Sequence, residues 1–155
     1  MTKKYWLMKS EPDVYSIDNL QKDKTTWWEG VRNYQARNFM MKEMQLGDAV
    51  LFYHSNAEPP GVAGLAIVSS LAQPDKSQYQ KKSEYFDAKA TDSKPIWFCT
   101  QVQFVKKFKN IVSLASIKAD PKLKNMLVIQ KGSRLSIQPV DQKDFEYICQ
   151  LATTP

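Results

Sequence analysis

Between Ala49 and Phe108 three strand-like stretches follow one another with no long helix between them, and this order limits the fold more than anything else in the chain. Ala49-Val50-Leu51-Phe52-Tyr53 is apolar throughout, and Glu58-Pro59-Pro60-Gly61 reads as a turn. Val62 to Val68 is a second apolar run, in which Gly64 signals a bulge or a close approach of backbone. Gln73 to Lys94 is polar and loop-like, with room for one helical turn. Trp97 to Phe108 is the longest strand candidate. Alternation there puts Trp97, Cys99, Gln101, Gln103 and Val105 on one face and Phe98, Thr100, Val102 and Phe104 on the other. A wound α/β sheet needs strands alternating with long helices, and that rhythm is missing. The pattern predicts an α+β fold built on a small antiparallel or mixed barrel with short helices at its periphery.

The flanking segments fit this plan. Tyr5 to Lys9 reads as a strand stopped by Ser10-Glu11-Pro12, and a weak helix follows from Ser16 to Gln21. Trp27 to Arg32 is irregular, with Gly30 beside two bulky rings. Asn33 is placed to cap a helix from Tyr34 to Met44, with Ala36, Phe39, Met40 and Met44 at helical spacing and Gly47-Asp48 after it. Asp120-Pro121 opens a short helix to Leu127. Leu135 to Val140 alternates as a strand, and Asp141 caps a closing helix with Phe145, Ile148 and Cys149 on one stripe. No repeat or linker divides the 155 residues, so residues 1–155 are expected to form one domain, acting as a monomer. No apolar stretch approaches the roughly 20 residues that cross a bilayer, and the run Tyr5 to Met8 is too short for a secretory signal. Cys99 and Cys149 lack CxxC spacing and sit among apolar neighbours. They are expected to be reduced, in a cytoplasmic protein without a disulfide or a metal.

Charge narrows the partners. Lysine and arginine number 22 against 16 acids, and the excess is local. From Lys94 to Arg134 there are nine basic residues and one acid, Asp120, which leaves thirteen basic and fifteen acidic residues elsewhere. A domain with such a section can draw in a polyanion, with nucleic acid as the usual one. A solvated lysine face serving solubility gives the same count.

Motifs for catalysis are sparse. The one histidine, His54, stands in Tyr53-His54-Ser55, and no GxSxG turn supplies a nucleophile for it. No Walker loop, GxGxxG or metal-ligand spacing occurs, so neither a cofactor nor a metal is expected. The unusual concentration is Trp27, Trp28, Arg32, Asn33 and Tyr34, within eight residues. Aromatic faces beside amide and guanidinium groups suit a planar ligand, with a base stacked on the ring and its edge read by the polar groups. The same residues also fit a loop pinned to the core by its tryptophans, with Asn33 as a helix cap. Two adjacent tryptophans on an extended chain face opposite ways, so only one is expected at a pocket.

Tyr5-Trp6-Leu7-Met8-Lys9-Ser10-Glu11-Pro12, then Trp28-Glu29-Gly30-Val31-Arg32-Asn33-Tyr34-Gln35-Ala36-Arg37-Asn38, resemble the opening of an EVE domain. Gly47-Asp48 leading into Phe52-Tyr53-His54-Ser55, the Gly61 to Val68 strand, Trp97 to Phe108, and Arg134 to Val140 are similar to it in the same order. The resemblance implies a PUA-like barrel related to the YTH readers of methylated adenine. It implies a module, DNA- or RNA-binding, that accepts a modified base such as a 5-substituted cytosine. On that match Trp28 is the stacking wall and Asn33 an edge reader, with Arg32 and Tyr34 beside them. Lys9 and Ser10 border the pocket, and His54 and Ser55 close it from the neighbouring strand. Lys106, Lys107, Lys109 and Arg134 are expected to hold phosphates without reading sequence. The chain departs from the family pattern at Glu29 (Asp is commoner), at Gln101 and Ile67 (acids are expected), and at Ser133 (glycine is usual). Two other readings compete: a protein-interaction module using the basic and aromatic surface, and an enzyme acting on a modified nucleoside with His54 or Glu11 as acid–base.

Overall fold

Burial along β1 (Tyr5–Ser10) and β3 (Ala49–His54) decides the layering. Successive strand residues point to opposite faces, so a strand that is apolar throughout must be covered on both sides. Trp6, Met8, Val50 and Phe52 enter one core, while Leu7, Leu51 and Tyr53 enter another. The computed structural model describes residues 3–132 and 134–153. In it β1 and β3 lie parallel and adjacent, with Trp6 opposite Val50 and Met8 opposite Phe52. With β2 (Thr25–Trp27), β4 (Gly61–Pro74), β5 (Phe98–Ser113) and β6 (Ile137–Val140) they form a mixed six-stranded sheet ordered β2-β5-β4-β3-β1-β6. Every other neighbouring pair is antiparallel.

Helices cover both faces. The first core is closed by α1 (Ile17–Asp23) and by α2 (Tyr34–Asn38), which contribute Ile17, Leu20 and Ala36. The helix expected to reach Met44 begins at Tyr34 but widens into a π-turn over Phe39–Glu43, where the Met44 N–H donates to the Phe39 carbonyl. The second core is closed by α3 (Leu114–Ala119) and α4 (Gln142–Thr153), through Ile117 and Ile148. The short helix expected after Asp120-Pro121 is two separate 3-10 turns, Pro121–Leu123 and Leu127–Ile129. Ser16 caps α1 in a reciprocal box with Asn19, which explains why so weak a helical sequence starts cleanly there.

The long strand departs from simple alternation. β5 begins at Phe98, runs on to Ser113, and sends both Cys99 and Val102 into the first core. Residues three apart share a face only when the pleat is interrupted. The β4–β5 register shifts in four places, so side-chain phase is not kept along the pair. At Gly64 a Cβ would lie 2.4 Å from the Lys106 carbonyl oxygen and 2.8 Å from the Ile17 side chain, so the backbones approach as closely as the glycine suggested.

The expected barrel is corrected to an open sheet. Among the described residues β2 pairs only with β5 and β6 only with β1, so the two ends of the sheet are not joined by hydrogen bonds. β6 carries Pro139, which has no N–H to offer a further strand. The sheet nevertheless curls, because residues from both of its ends line one cavity.

Candidate nucleic-acid interface

That cavity, of about 560 Å³, occupies the unclosed seam. One wall is Thr26 and Trp27 at the end of β2 with the turn that follows, and the other is Lys9 and Ser10 at the end of β1 with Arg134 and Ser136 before β6. The Lys9 N–H donates to the Ser136 carbonyl at 2.8 Å and fixes the second wall. Tyr85 contributes a further ring from the segment between β4 and β5.

Both tryptophans line the cavity, contrary to the expectation that only one would. The Glu29 N–H returns to the Trp27 carbonyl at 2.9 Å, a three-residue turn centred on Trp28 that breaks strand alternation. Trp28 is 8% exposed, donates its backbone N–H to the Thr100 carbonyl at 2.8 Å, and packs its ring edge-on to Phe52 with centroids 5.5 Å apart. It is therefore a core residue that reaches the cavity with part of its ring, whereas Trp27 is half-buried.

Arg32 lines the cavity but is wholly engaged. Its five N–H groups donate to the Tyr85 carbonyl (twice, at 3.1 and 2.7 Å), the Val31 carbonyl, the Ser77 hydroxyl and the Asp75 carboxylate at 3.1 Å. The guanidinium lies 5.3 Å from the Trp97 ring and 5.5 Å from the Tyr85 ring. Asp75 is fully buried and also accepts from the Gly30 N–H and from the N–H and hydroxyl of Ser77. Burial alone would raise its pKa, but the hydrogen bonds from Ser77, Gly30 and Arg32 outweigh it and hold the carboxyl below its ordinary value. Gly30, at φ 88°, lets the Tyr85 ring lie against the backbone, and a Cβ there would meet that ring at 2.6 Å. Arg32 and Asp75 thus brace the turn and the Tyr85 segment together.

Of the other expected pocket residues, Lys9, Ser10 and Ser55 line the cavity, while Asn33, Tyr34 and His54 are not among its lining. Asn33 Oδ1 accepts the Ala36 N–H at 3.0 Å, the helix-cap role. Tyr34, 60% exposed, stacks on Trp97 at 4.9 Å, with the Arg37 guanidinium 4.8 Å from its ring. His54 is buried, and its Nε2 accepts the Ile17 N–H at 3.1 Å. Burial lowers its pKa, which keeps the ring neutral at neutral pH. The Ser10 hydroxyl donates to the Tyr15 carbonyl at 2.5 Å. Burial also lowers the pKa of Lys9, whose ammonium lies 5.9 Å from the Tyr53 ring.

The four expected phosphate contacts fall in different places. Arg134 is exposed at the cavity, and Ser133 before it lies outside the described residues. Lys107 bonds Asp18 of α1 at 2.7 Å, on the cavity's side of the sheet. Lys106 lies on the other side, close enough to Cys149 of α4 to act on its thiol; Phe108 enters the second core on that side, so Lys109 shares the face of Lys107. Gln101, where an acid was expected, accepts from the Ser69 hydroxyl, and Ile67 pairs with Gln103. Sequence reasoning missed Tyr85, Tyr15, Ser136 and the pocket position of Glu29. Tyr85 sits in a polar loop, and nothing local marks it as the partner of Arg32. Glu11, named only as a possible acid–base group, lines the cavity and accepts from the Asn56 amide.

A mixed sheet with helices on both faces and an aromatic cavity at its seam defines a PUA-like α+β module, and the chain belongs to the EVE domain family, which matches residues 4–151. It is 40% identical to thymocyte nuclear protein 1 of Homo sapiens, over 95% of this chain and 73% of that one. Among solved structures, a hypothetical protein from Leishmania major superposes with a TM-score of 0.93 at 46% identity, over 97% of this chain and 95% of the other. Human THYN1 in complex with DNA containing 5-methylcytosine superposes with a TM-score of 0.91 at 38% identity, over 99% of both. No helix among the described residues is long and apolar enough to cross a membrane. The vertebrate relatives carry "nuclear" in their name, in contrast to the cytoplasmic expectation.

Proposed function

We propose that the chain is a non-catalytic nucleic-acid-binding module that takes a modified base, such as a 5-substituted cytosine, into the seam cavity. The observation that carries this reading is the cavity itself, walled by Trp27, Trp28 and Tyr85 with Lys9 and Arg134 beside it. A flat heterocycle stacks on such rings, and the cations meet its phosphates. The relationship to human THYN1, solved with DNA containing 5-methylcytosine, supports the choice of base. An extruded nucleotide costs a few kcal/mol in lost stacking, and stacking on protein rings, roughly 1–3 kcal/mol per base, offsets part of it. The enzyme reading is weakened because His54 already uses its acceptor nitrogen on the Ile17 N–H. Among the phosphate contacts, Arg134, Lys107 and Lys109 suit the role better than Lys106.

The test is fluorescence anisotropy with two oligonucleotides that differ only in carrying 5-methylcytosine or cytosine. The wild type should prefer the methylated strand. Trp27→Ala should weaken binding by roughly tenfold, since stacking contributes about 1–3 kcal/mol per base, and Trp28→Phe, which keeps a smaller ring, should weaken it by less. Trp28→Phe replaces an alanine variant because emptying a buried tryptophan site costs about 3–5 kcal/mol and unfolds the assay with it. Equal affinity for both strands in the wild type, or full affinity in both variants, removes the base from the cavity.

A further inference from the structure

We propose that Glu29 reads the edge of the base, selecting bases with an exocyclic amine, as cytosine has at N4, over bases with a carbonyl there. This rests on the reading of the seam cavity as a base site. Stacking holds any flat ring and does not sort bases. Sorting needs a polar group that faces the cavity and has no other partner. Arg32 uses all five donors on protein acceptors. Asn33 is occupied as a helix cap, and Glu11 accepts from Asn56. Ser10 donates to Tyr15, and the hydroxyls of Thr26, Ser55 and Ser136 can donate or accept, so they fit either kind of edge. Lys9, Arg134 and the indole N–H groups of Trp27 and Trp28 only donate, the Tyr15 hydroxyl donates to Asp23, and the Tyr85 hydroxyl can donate or accept.

Glu29 remains. It lines the cavity, and among the described residues its carboxylate has neither a hydrogen bond nor an ion pair. Its backbone is fixed by its own N–H to Trp27 and by the Gly30 N–H to Asp75, so the carboxylate is delivered with the two rings. An ionised carboxylate accepts and never donates. It can take an N4–H of cytosine or an N6–H of adenine, and it repels the O4 that thymine or uracil carries in place of the cytosine amine. Partial burial and the nearby Asp75 charge raise its pKa, as expected for a carboxylate short of donors.

The probes are two oligonucleotides identical except for one position, 5-methylcytosine in one and thymine in the other. Both keep the 5-methyl group, and they differ at the 4-substituent and the N3 hydrogen. The wild type should favour 5-methylcytosine by roughly tenfold or more. Glu29→Ala should bring that ratio close to one while keeping the wild-type thermal midpoint. Glu29→Gln, whose amide can also donate to O4, should narrow the ratio without abolishing binding. A ratio unchanged in Glu29→Ala, or one already near one in the wild type, overturns the role of Glu29 and leaves the base site standing. A wild type that binds neither probe overturns both.

Discussion

Asp75 shows how one residue can organise a site it does not enter. Its carboxylate is fully buried and joins the Gly30 backbone to Arg32, which in turn holds the Tyr85 carbonyl. Replacing it by asparagine keeps the shape but leaves the guanidinium without its counter-charge. Breaking a buried pair costs roughly 3–5 kcal/mol, and the low end applies because water still reaches part of Arg32. Asp75→Asn should therefore lower the thermal midpoint by about 6–12 °C. A midpoint within a degree of wild type would mean the brace contributes nothing. His54 makes a second prediction at this scale. Burial depresses its pKa in the folded state, Asp18 opposes this and Lys107 adds to it. The folded protein then binds fewer protons than the unfolded chain below the unfolded value, about 6.5. The histidine contribution is complete above that pH and is lost as pH falls through the lower folded pKa, when protonation also removes the acceptor for the Ile17 N–H. Thermal midpoints measured from pH 7.5 down to 5 should fall, and His54→Gln should flatten that part of the curve. Glu29 and Asp144, whose pKa values burial raises, act in the opposite sense, so the variant is what isolates the histidine.

Among the elements, β4 and β5 determine where the site can form. Gly64 allows β4 to pass against the Lys106 carbonyl, and Ile17 at the start of α1 rests on the same spot. Gly64→Ala must displace backbone as well as a side chain, an overpacking that costs about 1–3 kcal/mol. Its thermal midpoint should drop, and because Ile17 moves, the His54 bond at the start of α1 should loosen too. Faster amide exchange at Ile17 in the variant would report this, and unchanged exchange would count against it. That glycine was legible in the sequence, as were β1, β3, the start of β4, Asn33 at the head of α2, and the stripe of α4. Each is marked by local periodicity or a capping residue. The end of β5, its broken alternation and the open seam were not legible, since they depend on register between strands distant in sequence. Asn33 shows the boundary well. Its residue type suits a cap and a base reader equally, and the Ala36 N–H that its Oδ1 accepts establishes the cap. Tyr85 shows the other side: its place follows from Arg32, 53 residues away.

For the whole molecule, the basic section from Lys94 to Arg134 is one run in sequence but not one patch in space. Strand alternation sends Lys107 toward α1 and Lys106 toward α4, and Arg134 reaches the cavity from the far end of the sheet. On the proposed reading, a polyanion threading past the seam would meet Arg134, which lines the cavity, but not Lys106, which does not. Counterion release makes this measurable, because each phosphate contact on a single strand adds about −0.7 to the slope of log affinity against log salt. Arg134→Ala should make that slope shallower by about 0.7 and weaken methylated and unmethylated strands by the same factor, since phosphate contacts carry no base information. Lys106→Ala, an equal loss of charge on the opposite face, should leave the slope unchanged. Equal effects of the two variants would mean that net charge alone attracts the strand, and the seam would lose its claim to be where the strand runs.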